Sequence, residues 1–379
     1  MLNYYLQETQ AAGVGVHFFS PTIGQVANAK VEFKGKLSSS NRVKGIRVEC
    51  LSEQHSIGVV WSAAPDLSDE GTAHTYRFSL EVDSKQITEE HDLHFCVLVE
   101  YSDTCDEVAC GFIQKVHPVD SVVFVVGSPR SGTSALGKGL RKGLEANAHG
   151  ESHVIEGFQR ILETIDAFFV RSKTAQIKNN LVNVLPYTVL LAEQVRSLRR
   201  VYELYYGNQV ILDKTPGIPM LKALPIALIA WPNAKVVFCK RRALENVKSR
   251  EIKFPAVSFE AHLAQWKQSF IAWRQTKQQI NQALKTKDWA MEVDQKQMSD
   301  HSNQVALQVS TFLNLSKRGH NKLERSLTND RPEQTSAPTK QARNLSQFGW
   351  SETQQQALVK VCGDELKRQG YSLDERYYL

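Results

Sequence analysis

No stretch of this chain is both long and apolar enough to suggest a membrane span. The richest, Ile218 to Trp231, is broken by Pro219, Lys222 and Pro225 and ends at Pro232, short of the roughly 20 residues a spanning helix needs. The start, MLNYYLQETQ, has neither a basic n-region nor an apolar h-region, so no secretory leader is expected. Cysteine is scarce, at 6 in 379 residues, which excludes a disulfide scaffold and predicts mostly reduced thiols. Cys50, Cys96, Cys105 and Cys110 all fall in the first third, and Cys105 to Cys110 is the one local disulfide left open. No C-x-x-C pair exists, so no zinc site is expected from them. Charge of one sign is also missing: Lys+Arg is 46 against Asp+Glu 40. That surplus favours anionic ligands weakly and is too dispersed to indicate nucleic acid.

What is present is enough apolar material, 42% with 16 Phe, 11 Tyr and 6 Trp, for the cores of about two domains. From Gly13 to about Val116 the chain alternates in short β-branched or aromatic runs: Ala29 to Phe33, Gly45 to Cys50, Tyr76 to Val82 and Leu93 to Tyr101. Turn material separates them at 38–41 and 66–71. This spacing predicts an all-β sandwich of immunoglobulin-like type over residues 1–117. After His117-Pro118-Val119-Asp120 the pattern changes. Ser121 to Val126 is a continuous apolar run, as in a strand covered on both faces, and Val210 to Leu212 and Lys235 to Cys239 repeat it. Helical periods follow at Leu136, Leu140 and Leu144, at Ile161, Leu162, Ile165 and Phe169, and at Leu263, Trp266, Phe270 and Trp273. Residues 118–379 are therefore expected to be an α/β domain, a three-layer structure with a largely parallel sheet. Residues 316–345, with few large apolar groups, are expected to be a mobile loop, and helix to resume over 351–370.

The most informative segment is Gly127-Ser128-Pro129-Arg130-Ser131-Gly132-Thr133-Ser134, between the first apolar strand and the Leu136 helix. Loop amides and the positive end of a helix dipole there form an anion site. The glycines have nucleotide-triphosphatase spacing, but Thr133 stands where the triphosphatase lysine would be. A nucleoside triphosphate is thus a poor fit, and a single phosphate-like group with Arg130 as its cation is a better one. Pro129-Arg130-Ser131-Gly132-Thr133 resembles the first signature of the sulfotransferases that use 3'-phosphoadenosine 5'-phosphosulfate (PAPS), a P-[KR]-S-G-T loop that grips the 5' phosphosulfate. Their second signature is a strand ending in Arg with a Ser eight positions later, both on the 3' phosphate. Val236 to Arg241 and Ser249 match it. A guanidinium forked onto a phosphate beside a hydroxyl donor makes chemical sense in its own right. The resemblance covers about residues 121 to 379, implies a P-loop-like sulfotransferase fold, and leaves the β domain unexplained.

His149-Gly150-Glu151-Ser152-His153 follows the first helix, and in an extended segment His149, Glu151 and His153 share one face. Glu151 to Ile155 resembles the tyrosylprotein, Golgi-type and bacterial sulfotransferases, which implies that Glu151 is the base. The same resemblance places an Arg where His153 stands. Cytosolic members use His, so His149 and His153 remain alternates. Metal binding is the rival reading of this cluster, but no P-C-x-x-C follows the H-x-E, so a zinc deaminase is excluded. Asp213-Lys214-Thr215-Pro216 resembles the relatives' D/E-K-T-P motif, which implies Lys214 near the transferring group. Arg331, in Arg331-Pro332-Glu333, is the further donor contact expected in the loop.

The expected reaction is metal-free transfer of a sulfuryl group from PAPS to an acceptor hydroxyl, giving a sulfate ester and adenosine 3',5'-bisphosphate (PAP). A glycan acceptor is preferred because of the attached β domain, which alternatively serves dimerisation. A tyrosyl polypeptide or a small alcohol remains open. A P-loop kinase and a glycan-binding protein with a degenerate transferase domain are the competing classes. With neither leader nor anchor, a bacterial cytoplasmic enzyme is the simplest setting.

Overall fold

The computed structural model describes residues 1–9, 11, 13–27, 30–50, 74–83, 92–147, 149–175, 180–207, 209–284, 288–329 and 343–378. The expected turn at 66–71 and Arg331 lie outside them. The first part of the chain forms β1 (Leu2–Glu8), β2 (Val14–Phe18), β3 (Ile23–Val26), β4 (Lys30–Ser39), β5 (Gly45–Cys50), β6 (His74–Asp83), β7 (Leu93–Glu100) and β8 (Cys105–Lys115). These make a five-stranded antiparallel sheet ordered β3-β1-β8-β7-β5 and a three-stranded one ordered β2-β4-β6. In β4, Val31, Phe33 and Leu37 are buried while Lys30, Glu32, Lys34 and Lys36 are exposed, the two-residue period of a strand with one wet face. Phe18, Phe33, Phe78 and Phe95 bring both sheets into one sandwich-like core.

The cysteine pairing differs from the sequence expectation. Cys96 on β7 lies directly opposite Cys110 on β8, with Cα atoms 4.2 Å apart, and these two are bonded. Cys105 is exposed and free. It shares strand β8 with Cys110, and at about 3.3 Å per residue five positions along one strand are far beyond disulfide reach.

The second part is built on β9 (Val122–Gly127), β10 (Ile211–Lys214), β11 (Lys235–Lys240) and β12 (Ala290–Asp294), all parallel, in the order β10-β9-β11-β12. Its helices are α1 (Thr133–Gly143), α2 (Val154–Ala175), α3 (Leu181–Val184), α4 (Tyr187–Tyr206), α5 (Ile218–Ala230) and α6 (Ala243–Lys253). Then follow α7 (Phe259–Leu284), α8 (Gln295–Asp300), α9 (Ser302–Phe312), α10 (Lys317–Asn329) and α11 (Glu352–Arg368). Alternate residues of β9 serve opposite layers. Val123 and Val125 pack with Leu136, Leu140 and Val309, and Val122, Phe124 and Val126 with Leu224, Leu263 and Trp266. Covering on both faces is why β9 reads as an unbroken apolar run. Among the described residues no helix is long and apolar enough to cross a membrane.

Residues 317–329, expected to be loop, are helix α10. Its few apolar residues fall on one stripe: Leu323 and Leu327 are buried in the core beside α1. The contact relies on small residues, since a Cβ on Gly319 would lie 2.5 Å from the Gly143 carbonyl oxygen. Composition hides this helix because a single narrow stripe is enough to dock it.

The β domain meets the C-terminal ends of α5 and α7: Asn3 Nδ2 donates to the Ala230 carbonyl at 2.9 Å and the Thr22 amide to the Ala283 carbonyl at 3.0 Å. Gln114 Nε2 donates to the Ala192 carbonyl of α4 at 3.1 Å, and Ile23 and Phe112 join the apolar core of the second part.

Candidate active site

The loop between β9 and α1 has a backbone that demands its glycines. Gly127 has φ +145°, and a Cβ there would lie 2.3 Å from the Cys239 carbonyl oxygen. Gly132, φ +90°, is the N-cap of α1 and so offers no capping side chain, and the first turn of α1 carries no acidic residue. The first-turn amides therefore remain available to an anion. Arg130 itself is left-handed, with φ +72°. Ser128, Ser131 and Thr133 are buried in the loop, and Ser134 is exposed.

The end of β11 and the start of α6 close against this loop. Arg130 Nε donates to Ser249 Oγ at 3.0 Å, and Arg241 Nη1 donates to the Arg130 carbonyl at 3.1 Å. Asn246, fully buried one turn before Ser249, donates through Nδ2 to the Pro129 carbonyl and to Ser131 Oγ, both at 3.0 Å. Trp266 Nε1 donates to the Arg241 carbonyl at 3.0 Å, fixing the strand end from α7. The two basic turns that the sequence separates by over a hundred residues thus touch. Of the Lys240-Arg241-Arg242 run, Arg242 is structural. It is fully buried, paired with Glu245, and donates to the Ser372 and Asp374 carbonyls at 3.0 and 3.1 Å. Lys240 pairs with Glu292 at 3.2 Å.

Glu151 is exposed in the connector between α1 and α2, and the Lys214 ammonium at the end of β10 donates to its Oε1 at 2.8 Å. The Lys214 stem crosses the first turns of α1 at Gly137, where a Cβ would stand 3.0 Å from Lys214 Cγ. The connector is fastened by a buried carboxylate, Asp213, which accepts from Ser152 Oγ, Tyr202 OH and Thr215 Oγ1. The Ser152 amide also donates to Thr215 Oγ1 at 3.1 Å. These bonds set Glu151, the residue before Ser152, against Lys214, the residue after Asp213. Burial above all, and the Asp213 charge next, push the Tyr202 phenol far up, so it stays a hydrogen-bond donor.

His149 and His153 part company, because His153 has φ +53° and the segment is not a plain strand. His149 meets the Tyr205 ring edge-on at 6.1 Å. His153 lies between two carboxylates, Nδ1 at 3.0 Å from Glu156 Oε2 and Nε2 at 3.4 Å from Glu151 Oε2. The hydrogen bond to Glu156 foremost raises its pKa above 6.5, partial burial opposes, and both carboxylate charges add to the rise. A raised value means that folding favours the imidazolium. That contribution to stability is fully present below the ordinary histidine value and is lost as pH rises through the raised one. A proton-NMR titration of the His153 ring is expected to give a midpoint above 6.5 that falls in Glu156→Gln. A wild-type midpoint at or below 6.5 would show that the contact with Glu156 does not hold in solution.

Beside this connector lies a cavity of about 320 Å³, walled by His149, Ser152 and Val154 together with Val201 and three tyrosines of α4. Sequence reading misses this cavity, Asn246 and Gly137. No spacing rule marks them, because each matters only through a partner brought from another element.

The sequence model of the sulfotransferase family matches residues 122–318, from β9 into the start of α10. Among solved structures, the chain is similar to the sulfotransferase STF9 from Mycobacterium avium, with 11% identity, a TM-score of 0.41, and coverage of 68% of this chain and 79% of that one. It is also similar to the sulfotransferase domain of the Synechococcus PCC 7002 olefin synthase, with 16% identity, a TM-score of 0.33, and coverage of 69% and 87% respectively. No curated protein matches the chain.

Proposed function

The chain belongs to the sulfotransferase family, whose model spans more than half of it, and from that premise we propose that it moves a sulfuryl group from PAPS to an acceptor hydroxyl at the β9–α1 loop. The observation that carries this reading is the contact of Arg130 with Ser249 and of Arg241 with the Arg130 carbonyl. The 5' and 3' phosphates of PAPS hang from one ribose, so the groups that hold them must be neighbours, and the contact between the two turns supports that requirement. A nucleotide with a single phosphorylated position would need only one of the two turns.

The residues present suit such a donor. Ser128, Pro129, Arg130, Ser131, Gly132, Thr133 and Ser134 would hold the 5' phosphosulfate through loop amides, hydroxyls and the Arg130 guanidinium. Arg241 and Ser249 would hold the 3' phosphate. When bound, PAPS supplies an activated sulfuryl group with a phosphate leaving group. Glu151 would take the acceptor's proton, within about 2.6 to 3.2 Å in the productive complex. Lys214 keeps the Glu151 carboxylate in place and would neutralise charge near the reacting centre. Arg130 and the loop amides would stabilise charge on the leaving oxygen. Protonated His153 would stand as a second cation where relatives resembling this connector carry Arg.

Thermal denaturation of the full chain tests the donor assignment. PAP without added divalent metal is expected to raise Tm, reflecting about 2.7 kcal/mol at a hundredfold excess over Kd. Stabilisation by magnesium and ATP but not by PAP would overturn it in favour of a P-loop kinase.

A further inference from the structure

The cavity beside the connector is walled mostly by aromatic and aliphatic side chains. Tyr202 and Tyr206 present rings rather than hydroxyls to it, because Tyr202 OH is given to Asp213 and Tyr206 OH to the Leu212 carbonyl at 3.0 Å. Those two rings are stacked, with centroids 5.6 Å apart at 16°, and Tyr205 stands edge-on to Tyr206 at 4.8 Å. Val154 and Val201 complete the apolar surface, and among the described residues no lining side chain is a Lys, Arg, Asp or Glu. The polar lining groups besides the tyrosines are Ser152, whose hydroxyl already donates to Asp213, and His149, whose ring lies against Tyr205. A sugar ring with several hydroxyls would leave most of them without partners here, which is unfavourable. A flat apolar ring would bury its faces against aromatic rings in favoured stacked or edge-on arrangements.

The cavity is also tied to the chemistry. Ser152 is part of its wall and is the next residue after Glu151, so the cavity adjoins the connector on which the proposed base stands. At about 320 Å³ it is at the lower end of small-molecule sites and suits one or two fused rings rather than a chain of sugars. Among the described residues, the β domain, on which a glycan preference rests, contributes nothing to this wall.

We propose that the acceptor is a compact apolar ring bearing a hydroxyl, a phenol in chemical class, seated against the tyrosines of α4. The assignment rests on the sulfotransferase reading above. In the reaction the phenolic oxygen forms the new O–S bond, and its proton passes to Glu151. The bond from sulfur to the bridging oxygen of the phosphosulfate breaks, its electron pair staying on the 5' phosphate, so that aryl sulfate and PAP leave.

The test uses the full chain with sulfur-labelled PAPS, 2-naphthol and neutral chitotriose as acceptors, and calorimetry with PAP in parallel. Label is expected on 2-naphthol and not on chitotriose. Val201→Trp fills the cavity at a position already 41% exposed. It is expected to raise KM for 2-naphthol at least about tenfold, the range by which misfit in an apolar pocket discriminates, while PAP affinity stays at the wild-type value. Unchanged PAP affinity also shows that the variant is folded. If PAP binds but 2-naphthol is inert, if chitotriose is the better acceptor, or if Val201→Trp leaves KM unaltered, the acceptor assignment is overturned and the donor assignment stands. If PAP does not bind the wild type, both fall.

Discussion

Glu151→Gln is expected to reduce turnover by at least about 100-fold, the general-base contribution, while leaving affinity for PAP unchanged. The amide keeps the size of the carboxylate, and its oxygen can still accept from the Lys214 ammonium, now 2.8 Å from Glu151 Oε1. The connector should therefore hold its course, since its fastening to Asp213 runs through Ser152 and Thr215 rather than through Glu151. What the amide cannot do is receive the proton of the attacking hydroxyl. Single-turnover transfer from labelled donor, with calorimetric titration of PAP, separates the two quantities. Full activity in the variant would remove Glu151 from the mechanism and return the role to His149 or His153. A matched loss of PAP affinity would make Glu151 a donor-site residue instead.

Arg241→Ala should weaken PAP binding by roughly 10- to 100-fold, the loss of a charge-assisted contact worth about 1.5 to 3 kcal/mol. Adenosine 5'-phosphosulfate, which lacks the 3' phosphate, should bind the variant and the wild type alike. The comparison matters because Arg241 also donates to the Arg130 carbonyl at 3.1 Å, so its removal could disturb the loop directly. If loop disturbance were the cause, both nucleotides would lose affinity together. A selective loss for PAP marks Arg241 as the reader of the 3' phosphate, and an equal affinity of Arg241→Ala and wild type for PAP would end that assignment.

Several of these features are legible along the chain. The β9 strand is readable because both its faces are covered, and the loop after it because its glycines answer a local backbone demand, φ +145° at Gly127 and +90° at Gly132. The two halves of the proposed donor site can be named separately, each lying within a few residues of a strand end. The pairing of Glu151 with Lys214, 63 residues away, cannot. Nor can the Asp213 hub, whose partners Ser152 and Tyr202 come from the connector and from α4. The cysteine pairing departs from expectation for a related reason. Proximity in sequence places Cys105 and Cys110 on one strand, whereas the β7–β8 register sets Cys96 opposite Cys110. Helix α10 escapes a reading by composition, because the two leucines Leu323 and Leu327 against α1 are enough to hold an otherwise polar segment.

The sequence by itself marked the change from a β part to an α/β part, the glycine loop after β9 and the charged residues near it, because local backbone geometry and strand burial leave their mark on consecutive residues. Only the tertiary structure decided which groups meet: Arg130 with Ser249, Lys214 with Glu151, and a wall of tyrosine rings beside the connector. Such contacts arise where separate strands and helices converge, and their partners are fixed by packing of the whole sheet rather than by any spacing along the chain.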